Sequence, residues 1–156
     1  MVNNDLSIYG ELDDLDLEIL RLLQINARLS YRKIAERLGV SPATILVRLR
    51  RLKKKGIVKG FTVEIDPYKL GYQSLAYMLL KVDPRKLRKV ISRFMKEPYI
   101  VEIYEITGDY HLLIKLWARD PGDLANIIDR IRLIDGVNDT NTLYVLKINK
   151  ESKNPI

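Results

Sequence analysis

The 156-residue chain has no cysteine, a single histidine, one tryptophan and two phenylalanines. Without cysteine there is no disulfide, no thiolate nucleophile and no zinc site built on sulfur. One histidine gives no basis for a histidine metal cluster. No apolar run approaches the roughly 18 residues that cross a bilayer, and Met1–Gly10 lacks the basic and apolar regions of a secretory signal. The eight glycines, at 10, 39, 56, 60, 71, 108, 122 and 136, match neither nucleotide-binding fingerprint. Carboxylates are plentiful, but none pairs on an obvious apolar cleft for acid–base chemistry. No metal, cofactor or catalytic residue is therefore expected.

What the chain does have is unevenly placed charge. The formal net charge is +7. Residues 1–27 hold six acids against Arg21, a net −5; residues 28–60 hold eleven bases against Glu36, a net +10; residues 61–156 come to +2. A charge run by itself is most often a solvated helix face, so the pattern inside the basic block has to decide.

That block reads as helices. Asp13 caps a first helix whose Leu15, Ile19, Leu22 and Leu23 form one apolar stripe. Asp14, Asp16 and Glu18 lie in its first turns, where negative charge suits the helix dipole. Ser30 caps a short second helix carrying Ile34, Ala35 and Leu38 inward, and Gly39 ends it. Ser41 and Pro42 start a third helix, which runs to Lys55 and stops at Gly56. Helix, short helix, glycine turn and a capped arginine-rich helix make a helix-turn-helix arrangement.

Stepping the third helix at about 100° per residue sends Ile45, Leu49 and Leu52 inward. Ala43, Val47, Arg50 and Lys54 centre on the opposite face, flanked by Thr44, Arg51 and, further round, Arg48 and Lys55. An exposed valine among arginines suits a face entering the DNA major groove, where apolar groups meet thymine methyls and arginine reads guanine. The candidate DNA contacts are Ser41, Pro42, Ala43, Thr44, Val47 and Arg48, with Arg50 and Arg51 reaching bases or phosphates. Lys53, Lys54, Lys55 and Lys59 neutralise phosphates, and Arg28, Arg32 and Arg37 clamp the backbone from the second helix. The competing reading is a basic helix docked on an acidic protein.

The second half repeats itself. Asp83-Pro84-x-x-Leu87-x-x-Val90-Ile91 recurs 37 residues later as Asp120-Pro121-x-x-Leu124-x-x-Ile127-Ile128. Each copy reads as a helix start between β-rich runs: Leu75–Val82 and Tyr99–Ile106 around the first, Leu112–Ala118 and Val137–Ile148 around the second. The order βαββαβ is the ferredoxin-like plan. Residues 75–80 are apolar at both alternating parities, so both sheet faces call for cover while the chain supplies helices for one. A second copy is expected on the other face; the alternative is that the N-terminal helices fold back over it. The reading is α+β: residues 1–60 a winged or plain helix-turn-helix domain, 61–72 an extended linker strand and turn, 73–150 a ferredoxin-like domain, and 151–156 a tail.

Leu12-Asp13…Asp16…Ile19-Leu20…Leu23, Ala35…Leu38-Gly39-Val40-Ser41 and Arg48-Leu49…Leu52…Gly56-Ile57-Val58 together resemble the Lrp/AsnC family of transcriptional regulators. Thr107-Gly108-Asp109-Tyr110 and Gly136-Val137-Asn138-Asp139-Thr140 agree, so the likeness spans roughly residues 11–150. It implies cytoplasmic binding of double-stranded DNA by homodimers, often assembled into octamers through C-terminal domains of the RAM type. It also implies small effectors, typically amino acids, held between those domains.

Carried onto this sequence, the effector residues are Gly108, Asp109, Tyr110 and His111 in the hairpin, with Asn138, Asp139, Thr140 and Thr142 near the last strand. His111 stands where many members carry a second acid. Without the resemblance, His111 reads as an ordinary strand residue and Asp109 as a turn former. An architectural DNA-coating protein is a competing function. Siroheme decarboxylases share the two-part layout, but their haem pocket has no evident counterpart here.

Overall fold

The structure, a computed structural model, describes residues 12–152; the Met1–Gly10 segment and the last four residues of the tail lie outside the described residues. Helix α1 (Asp14–Ile25) opens with a reciprocal capping box. The Asp13 carboxylate accepts the Asp16 N–H at 2.9 Å, and the Asp16 carboxylate accepts the Asp13 N–H at 3.3 Å. Helix α2 (Tyr31–Leu38) starts where the Ser30 hydroxyl accepts the Lys33 N–H, and ends at Gly39 with φ +65°, a left-handed conformation that favours glycine. Helix α3 (Pro42–Lys54) starts with Ser41 accepting the Thr44 N–H at 3.1 Å and Pro42 in the first turn. Ile19, Leu23, Ile34, Ala35, Ile45, Leu49 and Leu52 form the buried core of these three helices.

The expected linker strand does not form. Residues 59–65 have no strand ladder among the described residues, because no neighbouring strand in the chain offers them hydrogen-bond partners. Phe61, Val63 and Ile65 are exposed.

A second compact unit begins at Ile65. It contains a short 3₁₀ turn (Tyr68–Leu70), β1 (Ser74–Val82), α4 (Leu87–Phe94), β2 (Ile100–Glu105), β3 (Leu112–Ala118), α5 (Pro121–Arg132) and β4 (Val137–Tyr144). The four strands form one antiparallel sheet in the order β2-β3-β1-β4. This is the ferredoxin-like order that a duplicated βαβ unit produces. Ala76, Met78, Leu80 and Val82 of β1 face the same core as Leu112, Ile114, Leu116 and Ala118 of β3. Val90 and Phe94 of α4 and Leu124, Ile127 and Ile131 of α5 close that core from one side.

The two repeat copies differ at their starts. Asp120 caps α5 by accepting the Asp123 N–H at 2.8 Å, three residues on. Asp83 instead accepts the Arg85 N–H, two residues on, which closes a turn and delays α4 to Leu87. The expected helix start at Asp83-Pro84 is therefore a turn.

The far face of the sheet gets partial cover from its own chain. The Tyr68 ring stands edge-on to Trp117 at 5.2 Å. Glu151 reaches the Lys115 ammonium, which is buried and also lies 3.6 Å from Glu102. Burial works against the charged form of Lys115, but the Glu151 and Glu102 carboxylates outweigh it and hold its pKa above the ordinary value. Residues 65–72 and the described end of the tail fall in this compact unit. Tyr104 and Leu143 stay about half exposed on the same face.

Gly136 sits at φ +102°, and a Cβ there would lie 2.8 Å from the Lys86 Cβ. Gly136→Ala should destabilise this unit by about 1–3 kcal/mol from backbone conformation alone. Gly60→Ala, with open space around it and no positive φ, should stay within about 0.5 kcal/mol of wild type. Chemical denaturation of the two variants measures the difference.

Candidate DNA interface and effector region

The solvent face of α3 is the one the helical wheel anticipates. Ala43, Arg50 and Lys54 are exposed, and Val47 is 64% exposed and outside the helical core. Ser41 and Pro42 are exposed at the helix start, and the Ser41 and Thr44 hydroxyls lie 2.9 Å apart. Arg28, just before α2, and Arg32 within it are exposed as well. Lys53 rests its ammonium 5.0 Å over the Phe61 ring.

Arg48 and Arg51 are placed differently. One turn apart, they point at the start of α1. Arg48 Nη1 donates to the Asp16 carboxylate at 3.2 Å and also to Asp13; Arg51 Nη2 donates to the other Asp16 oxygen. The Asp16 side chain has no exposed surface. The hydrogen bond from Arg48 is the main reason the Asp13 carboxyl sits below the usual carboxylate range, and the same bond raises the Arg48 pKa. Sequence reasoning gave Asp16 only a helix-dipole role. The signal it lacked is three-dimensional: acids at spacing three facing arginines at spacing three, 32 to 35 residues away.

The eight effector candidates fall on two sides of the sheet. Lys81, near the end of β1, joins Tyr110, whose ring lies 5.3 Å below its ammonium, to Asp139, 3.9 Å away and directly opposite in β4. Asp109 is exposed beside them, next to Gly108 at φ +106°. Asn138 occupies the register shift opposite Lys81 and Val82. Thr140 and Thr142 pair with Leu80 and Met78, on the helix-covered face. Thr140 accepts from Arg132 Nε at 3.1 Å, and the Thr142 hydroxyl is buried without a hydrogen-bond partner. The structure therefore brings Tyr110 and Asp139 together through Lys81, a residue the sequence reading passed over, and separates them from the two threonines.

His111 finishes a ladder. Its N–H donates to the Leu80 carbonyl at 2.8 Å, and its Nδ1 accepts the Val82 N–H at 2.9 Å. The imidazole stands in for the carbonyl that β3 does not extend far enough to supply.

Residues 12–59 match the winged helix-turn-helix DNA-binding family, and residues 75–155 match the Lrp/AsnC ligand-binding domain. The HTH-type transcriptional regulator FL11 of Pyrococcus furiosus is 40% identical over 92% of this chain and 95% of its own length. The chain belongs to the Lrp/AsnC family. Its fold matches Escherichia coli AsnC, with a TM-score of 0.86 and 31% identity over 90% of this chain and 96% of that one. It also matches a transcriptional regulator from Neisseria meningitidis in complex with L-Met, with a TM-score of 0.84 and 26% identity over 91% and 94%. As a member of a family of DNA-binding transcriptional regulators, this Lrp/AsnC protein carries its DNA-binding half at 12–59 and its ligand-binding half from residue 75. The relatives it matches are transcriptional regulators.

In this Lrp/AsnC domain, His111→Ala would leave the Val82 N–H without an acceptor at a fully buried residue. The expected loss is about 1–3 kcal/mol, read as a lower midpoint in urea denaturation.

Proposed function

We propose that this chain is a sequence-specific transcriptional regulator that binds double-stranded DNA as a homodimer and answers to a small effector, an amino acid. One observation carries the DNA reading: a capped helix whose exposed face combines Ala43, Val47, Arg50 and Lys54. That face lies within residues 12–59, which match the winged helix-turn-helix DNA-binding family. Ser41, Pro42, Ala43, Thr44, Val47 and Arg50 meet base edges or the adjoining backbone in the major groove, and Lys54, Arg28 and Arg32 meet phosphates. Two copies reach successive major grooves about one helical turn apart. Among the described residues no helix is long and apolar enough to cross a membrane; we assign the protein to the cytoplasm, where the DNA is.

Dimerisation follows from the far face of the sheet, where Tyr104 and Leu143 remain half exposed after the chain's own segments are in place. Dimers of this kind assemble further into a tetramer of dimers. Effector binding draws on Gly108, Asp109, Tyr110, Asn138 and Asp139, where a glycine turn exposes backbone groups and carboxylates hold an α-ammonium. His111, Thr140 and Thr142 support the same region from behind. The relative crystallised with L-Met supports an amino acid as the class of ligand.

The division of labour has a direct check. Arg50→Ala should relax preference at defined base positions by about 1–3 kcal/mol. Lys54→Ala should weaken all sequences alike and make the salt dependence shallower by about 0.9 in slope. Binding titrations on selected and scrambled duplexes at several salt concentrations separate the two, and footprinting that shows uniform coverage in place of spaced half-sites would favour an architectural coat. For the effector, a thermal-shift screen of the amino acids should give at least one that raises the melting temperature of the wild type and fails to raise that of Asp109→Ala.

A further inference from the structure

Five basic side chains project from α3, yet two of them do not share its solvent face. Arg48 and Arg51 keep only 26% and 39% of their side-chain surface exposed, and both end on Asp16. Asp16 accepts three hydrogen bonds: from Arg48 Nη1, from Arg51 Nη2 and from the Asp13 N–H. Asp13 adds a second carboxylate on Arg48. Two acids thus balance two arginines.

Arg51 also has its Nε buried with no hydrogen-bond partner. A buried donor left unpaired is costly, so the Asp16 charge is what holds this guanidinium in. Remove that charge and the arginine gains by turning out toward solvent, where its planar fork suits a phosphate.

We propose that Asp16 is a positioning residue for DNA binding: its buried carboxylate withholds Arg48 and Arg51 from the DNA backbone. The inference rests on α3 being the helix that enters the groove. Phosphate contacts hold any sequence, whereas base contacts choose among them. In a specific complex the base contacts set where α3 lies, and a freed arginine adds little. On arbitrary DNA the helix has no fixed register, so each freed arginine finds a phosphate. Asp16 therefore keeps non-specific affinity down while Val47 and Arg50 read sequence. It also reassigns Arg48 and Arg51 from reading to holding α3 against α1.

The test is Asp16→Asn, which keeps the shape and removes the charge. The probes are a duplex selected from a random pool by the wild-type protein and a scrambled duplex of equal length. For the scrambled duplex, the slope of log affinity against log salt should steepen by roughly 0.9 for each released arginine. Its affinity should rise by about an order of magnitude at low salt, and the selected duplex should change much less. An unchanged or shallower slope, with both affinities falling together, overturns the proposal and leaves Asp16 as a structural staple.

If circular dichroism shows that Asp16→Asn does not fold, Arg51→Ala decides. Alanine suits a helix interior, and Asp16 keeps its bond from Arg48. A withheld arginine adds nothing to the scrambled-duplex slope, so no change is expected, and a slope shallower by about 0.9 is contrary to the proposal. Arg50→Ala measured alongside guards the premise: if it keeps wild-type preference for the selected duplex, the groove assignment of α3 fails, whatever Asp16 does.

Discussion

The central strands β1 and β3 are apolar on both faces, and the need to keep both out of water organises everything from Ile65 onward. One face is met by α4 and α5, whose Val90, Phe94, Leu124, Ile127 and Ile131 seat on Met78, Leu80, Ile114 and Leu116. The other has no helix. The chain brings Tyr68 against Trp117 and Glu151 onto Lys115, then leaves Tyr104 and Leu143 half exposed at the edges. Burial of a lysine in this layer is sustained only because two carboxylates meet it.

In the DNA-binding half a polar constraint does comparable work. Apolar side chains alone seat α3 on α1 and α2, since Ile45, Leu49 and Leu52 pack against Ile19 and Ile34. That contact is non-directional and tolerates sliding along the helix. The Asp16 carboxylate is directional: it accepts one hydrogen bond from each of two arginines a turn apart and is itself tied into the α1 capping box. The result is a helix whose rotation is set, with Val47, Arg50 and Lys54 presented outward and two partly exposed arginines turned onto a buried carboxylate. In the ligand-binding half, Lys81 does the gathering, drawing Tyr110 and Asp139 together.

Much of this was legible from residue order. Asp13, Ser30, Ser41 and Asp120 each cap the helix expected of them, because a side chain bonding a backbone N–H three residues on needs nothing beyond its own turn. The αβ-half announced itself through a repeat of 37 residues and through strands of the right length. The repeat also misled: Asp83-Pro84 copies Asp120-Pro121 in sequence yet makes a turn, since Asp83 bonds two residues ahead. The linker expected as a strand and turn over 61–72 forms no strand, since a strand is completed by a partner and among the described residues no other strand pairs with it.

The sequence by itself determined what is local: where helices begin and end, which periodicity each segment carries, and which third of the chain holds the excess positive charge. These follow from contacts within three or four residues and from counting charges. Only the tertiary structure decided which charges are spent inside. Arg48 and Arg51 lie in the same basic block as Arg50, and the helical step sets them only toward the flanks of its face, with no partner named. Packing α1 beside α3 brings a carboxylate from 32 to 35 residues away, and that carboxylate makes the distinction. The same holds for Lys81, whose meeting with Tyr110 and Asp139 only the assembled sheet brings about.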